Sequence, residues 1–395
     1  MGCAAAAKRN KFAFMKILCV DIGTGTQDIY LFDSRLDLEN GYKLILPSPT
    51  MMVHQVLSHA ARYKKSVVLH GVMMGGGPSG WGAEAVLRTG AKVFATPQAA
   101  RTLDDDLEKV AALGVILLSD DELANLAPDV LRVELSDFNF PAIRQTFAAY
   151  GVSLDEIDGV AVSVFDHGDA PPQISDRQFR FDYLNQRIRE KNALSTFAFT
   201  RNNIPGIMSR LQAVAHSAAG TPGELILMDS APAAVAGAML DERVSTQPRK
   251  IIVNIGNFHS LAFRMSGEQI EGLFEHHTGL LSIDKLDHYL TGLFKGSLNR
   301  TEVFDDHGHG SLMYSQDPMP DTDADFDIVV TGPRRGIIRH SRYRSYFPAP
   351  FGDMMITGCF GMLRAAADLL PDFREEIMSA LYRKESTGVA PWDLE

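Results

Sequence analysis

Cysteine is scarce in this chain, with three in 395 residues, at Cys3, Cys19 and Cys359. No two stand as C-x-x-C, so a four-cysteine zinc site or a cysteine-ligated iron–sulfur cluster within one chain is excluded. A disulfide scaffold is excluded as well, and a reducing cytoplasm fits. Long apolar runs are missing: nothing approaches the roughly 18 residues that span a bilayer. An excess of basic residues is also missing, since 38 Lys and Arg against 49 Asp and Glu give a net charge of -11. That balance argues against nucleic acid and against an anionic membrane surface as partners. What remains is ordinary for a globular chain, 45% hydrophobic and 22% charged, long enough for two or three domains with their own cores.

The opening MGCAAAAKRNKFAF (residues 1–14) reads as a short disordered extension, with Met15 an alternative start. Its apolar stretch is too short for a signal peptide. MGC hints at acylation, but Ala6 stands where myristoylation prefers Ser or Thr. Folded sequence begins at KILCVDI, a strand-length apolar run, followed by GTGTQ and a second such run, DIYLFD. The intervening turn is too short for a crossover helix, so the pair is expected to form a β-hairpin. YKLILP supplies a third strand, residues 51–63 a helix and SVVLHGV another strand, with GGGPSG as a loop. Residues 81–131 alternate short strands with helices, the pattern of helices laid over a parallel sheet. DGVAVSV is a further strand, ending in the polar loop FDHGDAPP.

The strand ELILMD leads into a small-residue helix, SAPAAVAGAML. KIIVNIGNFHSLAFRM then repeats the opening pattern of strand, glycine turn and strand, which suggests an internal duplication. Residues 305–327 read as loop. MMITGCFGMLRAAADLL reads as a strand, a glycine turn and a helix.

Three strand-to-glycine elements therefore occur in order: DIGTGTQ, NIGN and ITGCFGM. Glycine lets backbone N–H groups approach phosphate oxygens without a side-chain clash. Gly23, Thr24, Gly25, Thr26 and Gln27 in the first element, Asn254, Gly256 and Asn257 in the second, and Gly358 in the third are candidate nucleotide contacts. Asp21 at the first strand end is the candidate Mg²⁺ ligand, directly or through water. Asp166, in the loop after a buried-looking strand, is the candidate general base, with His167 beside it and Asp169 a candidate substrate contact. Glu275, His276 and His277 are further substrate candidates; adjacent strand residues face opposite sides, so both histidines cannot easily bind one metal. DDHGHG at residues 305–310 has the composition of a metal-binding loop, with a His-x-His pair at His307 and His309. Gly75, Gly76 and Gly77 are a candidate anion nest. Cys19 and Cys359 read as packing residues.

In this order the elements resemble the actin, heat-shock chaperone and sugar-kinase ATPase superfamily. DIGTGTQDIYLF resembles its first phosphate hairpin, MDSAPAAVAGAML its connecting helix, IIVNIGNFHSLAF its second phosphate hairpin and ITGCFGM its adenosine turn. VAVSVFDHG is similar to the cleft strand of carbohydrate kinases. The chain also resembles a poorly characterised branch historically confused with a pyruvate formate-lyase activating enzyme. That radical chemistry is not expected, because the C-x₃-C-x₂-C cluster motif is absent.

The resemblance implies an α/β chain with the two-lobed, duplicated actin-like (ribonuclease H-like) fold. Lobe I is expected over residues 15–236, enlarged by an inserted α/β segment near residues 75–131, and lobe II over residues 237–395. ATP with Mg²⁺ is expected in the cleft between them. One departure is Asn254, where the second hairpin of the superfamily usually opens with an acid. Three functions stay open: ATP-dependent phosphoryl transfer to an unidentified small molecule, a nucleotide-operated switch or ATPase acting on a protein partner, and a metal-dependent enzyme that has lost ATP chemistry.

Overall fold

The computed structural model describes residues 14–171, 173–320, 323–383 and 385–394. The amino-terminal extension up to residue 13, with its acylation motif, lies outside the described residues.

Two sheets carry the molecule, and they are built alike. In the first, Tyr42–Pro47, Thr26–Asp33 and Lys16–Ile22 form an antiparallel meander, and Gly159–Val164 and Glu224–Asp229 extend it in parallel. In the second, Gln269–His277, His259–Ser266 and Arg249–Ile255 form the meander, extended in parallel by Ile328–Thr331 and Ser345–Tyr346. Each sheet adds one edge strand of its own, Ala198–Thr200 or Gly310–Met313. The likeness reaches single residues. KILCVDI and RKIIVNI have the same succession of buried and half-buried positions. Asp21 faces Asp28 across the first hairpin as Asn254 faces Leu261 across the second. The Gly23 N–H donates to Thr26 O at 2.9 Å, and the Gly256 N–H to His259 O at 2.9 Å. The duplication suggested by the sequence is thus present in topology and register.

The inserted segment forms a third, four-stranded sheet, wholly parallel: Ile116–Leu117, Val93–Ala95, Val67–Gly71 and Leu131–Leu135. It has its own core, which takes in Val53, Leu57 and Ala60 from the helix Pro49–Arg62. The insertion therefore begins well before Gly75 and includes that helix.

A layer of helices separates the two main sheets. Phe181 and Leu184, from the helix Asp176–Glu190, and Val235, from Ser230–Ala238, share a core with Ile252 and Phe263 of the second sheet. The carboxy-terminal helices Thr357–Leu369 and Pro371–Leu381 were expected in lobe II. They pack instead on the first sheet, where Cys359, Phe360 and Ile377 share a core with Ile17, Cys19 and Phe32. No strand precedes Gly358: Ile356 is the residue before the helix, and Gly358 lies in its first turn. The reason is the crossing of this helix over Ser230–Ala238. A Cβ on Gly361 would stand 1.8 Å from Ala233 O, and one on Gly237 1.8 Å from Thr357 O. Helix geometry up to Thr357 brings both glycines into register.

Gly361→Ala should therefore destabilise the protein by the ~1–3 kcal/mol of an overpacked core, or more, since backbone cannot move as a side chain can. Denaturant unfolding checks this; a change within about 0.5 kcal/mol, as at an indifferent surface position, would show that the helices part freely.

Candidate nucleotide cleft and its adjoining cavity

The three glycine elements, far apart in sequence, line one cleft between the lobes. Its walls include Asp21, Gly23, Thr24, Gly25 and Thr26 of the first hairpin, Asn254, Gly256 and Asn257 of the second, and Gly358. The hairpin tips face each other closely: a Cβ on Gly25 would lie 3.0 Å from Asn257 Nδ2. Ser48 props the first tip, its hydroxyl donating to Thr24 O at 2.6 Å and its N–H to Gly25 O at 3.1 Å. Gly358 lets the carboxy-terminal helix approach Asp21, whose Oδ2 would be only 2.0 Å from an added Cβ. Pro333, Arg335, Met354 and Met355 also line the cleft.

Asp21 and Asp28 give the cleft its negative charge. The Ser163 hydroxyl donates to Asp21 Oδ1 at 2.5 Å. Burial pushes the Asp21 carboxyl up to about 6, against the lowering effect of Ser163. Burial, and then the Asp21 charge, push Asp28 up to about 7. Asp28 Oδ1 is buried without a hydrogen-bond partner. Two carboxylates with an unsatisfied oxygen, beneath two glycine hairpin tips, suit a hard cation that bridges to phosphate oxygens. Asp28 was not singled out from sequence, although its place opposite Asp21 follows from a hairpin of this length.

A second cavity adjoins the first and shares Thr24, Phe165, Arg210, Phe258 and His259 with it. Its walls also carry His167, Asp169, His277 and the Gly75–Gly77 loop. Phe258 caps the second hairpin tip, lying 2.8 Å from where a Cβ on Gly77 would be and edge-on to Trp81, with ring centroids 5.6 Å apart. Gly77, at φ 63°, leaves room for it. The triglycine loop faces an anion of its own chain, since the Gly75 N–H donates to both oxygens of Asp137 at 3.1 Å.

Several candidates are placed differently from expectation. Asp166 lines neither cavity; its Oδ1 accepts from the Gly168 N–H at 2.9 Å and its Oδ2 from the Leu211 N–H at 2.8 Å. With one oxygen holding its own loop and the other the start of the helix Ser209–Ser217, it is not placed to act as a base. His167 does face the second cavity, with Nε2 3.5 Å from Asp105. Burial works against its imidazolium, but Asp105 and Asp166 outweigh that and raise its pKa. Gln27 is turned away from the cleft, its amide donating to Pro47 O at 3.0 Å. His276 is buried against Tyr289, and its Nε2 lies 3.0 Å from Asp306 O. His277, on the opposite face, meets His259 and His309. The expected His-x-His chelate does not form: His307 sits in a turn at φ 67° while His309 is buried.

Glu275 is wholly buried and accepts from Arg180 Nε at 2.7 Å. Arg180, which sequence reasoning passed over, also donates to Asp229 Oδ2 at 2.8 Å and Asp166 O at 2.7 Å. His259 was likewise missed, though aligning the two hairpins places it at the position of Thr26. Cys19 and Cys359 are buried, and burial pushes both thiols up, so packing is their role.

Two duplicated meander-plus-parallel sheets, with paired glycine hairpins facing one another across a cleft, define the two-lobed actin-like ATPase fold. Within that class, the chain belongs to the family described as "Putative pyruvate format-lyase activating enzyme (DUF1786)", whose pattern matches residues 74–337. Solved structures similar to it include the activator of the 2-hydroxyisocaproyl-CoA dehydratase from Clostridium difficile with bound ADPNP, at 9% identity and TM-score 0.33, covering 94% of this chain and 99% of that one. The ethanolamine utilization protein EutJ from Carboxydothermus hydrogenoformans is similar at 12% identity and TM-score 0.32, covering 89% and 90%. A ROK hexokinase from Thermus thermophilus follows at 13% and TM-score 0.22, covering 65% and 48%. No curated protein matches the sequence. Among the described residues, no helix is long and apolar enough to cross a membrane.

The two raised carboxyls yield a stability prediction. Each binds its proton more tightly when folded, so the stability it contributes is full below the unfolded value near 4 and is lost as pH rises through about 6 and 7. Asp28→Asn should match the wild type at low pH and exceed it in Tm by a widening margin up to about pH 8. A margin that stays flat with pH would mean that folding does not shift the Asp28 carboxyl.

Proposed function

We propose that the chain binds ATP with Mg²⁺ in the cleft and transfers its terminal phosphoryl group to a small molecule in the adjoining cavity. One observation carries this reading: three separate glycine elements meet around a carboxylate pair, and the end lined by the hairpin tips opens into a second cavity. The tip N–H groups of Thr24, Gly25 and Asn257 would hold phosphates, since those of Gly23 and Gly256 close their own turns, and Asp21 and Asp28 would hold the cation. Bound Mg²⁺ would neutralise phosphate charge. Phosphoryl transfer depends chiefly on such positioning and charge stabilisation. His167, held by Asp105, and Asp169 would orient the acceptor.

Phe258 supports a second reading. It joins the second hairpin tip to the inserted segment, so a nucleotide at that tip would be felt by the insertion. A nucleotide-operated switch acting on a protein partner would use that contact.

Titration calorimetry with a non-hydrolysable ATP analogue should show saturable, Mg²⁺-dependent binding. Gly25→Val, which crowds Asn257, should weaken it at least about tenfold, or ~1.4 kcal/mol. Equal affinity in both proteins would remove the hairpin tips from the site. A survey of ADP release over small hydroxylated and carboxylated compounds separates the two readings: acceleration by one chemical class, lost in His167→Gln, supports transfer, whereas acceleration only by a protein supports the switch.

Asn254→Asp restores a charge opposite Asp21 with little change of size. It should raise basal ATP hydrolysis by about tenfold, as expected of one improved electrostatic contact. A slower variant would mean that the amide itself is used.

A further inference from the structure

His259, His277 and His309 come from three neighbouring strand ends of lobe II. His259 opens the strand His259–Ser266 and pairs directly with His277, at the end of Gln269–His277. His309 stands just before Gly310–Met313, its N–H donating to Glu275 O at 2.9 Å. One ring nitrogen from each can be chosen so that all three lie within 4.8 Å of one another. Three nitrogens around a tetrahedral zinc ion, at Zn–N of about 2.0–2.1 Å, would be about 3.4 Å apart. Small side-chain rotations close that difference.

A second observation points to the same place. His309 Nδ1 and Glu275 Oε1 are both buried without a hydrogen-bond partner, 3.5 Å apart. The side chain of His309 is 5% exposed and that of Glu275 is 0% exposed. With Nδ1 turned towards a carboxylate, Nε2 is the nitrogen left for an ion. This is the carboxylate–histidine–metal arrangement, in which the carboxylate fixes the ring and strengthens the ligand. Charge points the same way. Arg180 is shared between two buried carboxylates, Asp229 and Glu275, so Glu275 has no cation of its own.

We propose that His259, His277 and His309 bind a divalent transition metal of the zinc class, with Glu275 orienting His309 and an open coordination position facing the second cavity. His259 and His277 line that cavity, so the fourth position is reached from it. Three protein ligands with one open position are typical of a metal that binds substrate or water, whereas structural zinc is closed by four. The ligand would be an oxygen donor, a carboxylate or hydroxyl of the acceptor. This last step rests on the acceptor-cavity reading above; the metal site itself does not.

The test uses the full-length chain without nucleotide. After chelation and dialysis, zinc is titrated against a chromophoric chelator, and cobalt is added separately while visible absorption is followed. The wild type should take up one zinc per chain and give the intense visible bands of low-coordinate cobalt. His277→Ala and His309→Ala should each lose at least about a hundredfold in affinity, and Glu275→Gln about 10–100-fold. His277 is only partly buried, so its variant serves if His309→Ala fails to fold, with thermal melting as the check. Absence of stoichiometric zinc in the wild type, or equal affinity in folded His277→Ala, would overturn the site. Neither result bears on ATP binding, which calorimetry measures separately.

Discussion

Arg180 is the constraint on which the cleft depends. A guanidinium with 1% of its side chain exposed is tenable only if paired, and its partners come from both halves of the molecule. Asp229 sits at the end of a lobe I strand and caps the helix Ser230–Ala238; Glu275 belongs to a lobe II strand. Burial works against the charged forms, but the two carboxylates outweigh it and raise the arginine further. Removing one partner would leave a buried charge uncompensated, a cost of about 3–5 kcal/mol. The spacing between the two phosphate-type hairpins is thereby tied to an interaction neither hairpin makes.

From Arg180 a ring of contacts runs around both cavities. Its guanidinium lies 4.0 Å from the centre of the Phe165 ring, and His259 stacks on Phe165 at 4.1 Å. Arg210 donates to Phe165 O at 2.7 Å and grips Asp137 through two nitrogens. Asp137 receives the Gly75 N–H, and Gly77 two residues on receives Phe258 from the second hairpin. The insertion is thus joined to both lobes at the cleft, and the second cavity exists because of it. Asp166, expected in the chemistry, belongs to this scaffold instead: it fixes the loop that presents His167.

Much of this was legible in the sequence because it rests on local rules. The hairpins, the small-residue helix and the order of the glycine turns follow from strand-length apolar runs and from turns too short for a crossover. The duplication could be suspected from KILCVDI and RKIIVNI. What was not legible depends on distant partners. Asp166 and Gln27 carry the residue types of a site, yet their hydrogen-bonding capacity is spent on Leu211, Gly168 and Pro47. Arg180 lies in a polar helical stretch with nothing local to mark its burial. His259, His277 and His309 are separated by up to fifty residues, and only the antiparallel register of three strands brings them together. Gly358 was recognised as a close-approach glycine, but its setting was not: the close approach is between a helix and Asp21, where a strand and turn were expected.

On the proposed reading the facing hairpins would form a Mg²⁺–ATP site. A crystal structure with a non-hydrolysable ATP analogue and Mg²⁺ tests it most directly. The account predicts phosphates between residues 23–26 and 256–257, with the ion held by Asp21 or Asp28, directly or through water. An analogue bound elsewhere, or hairpin tips and carboxylates left without contact to it at saturating concentration, would contradict the claim.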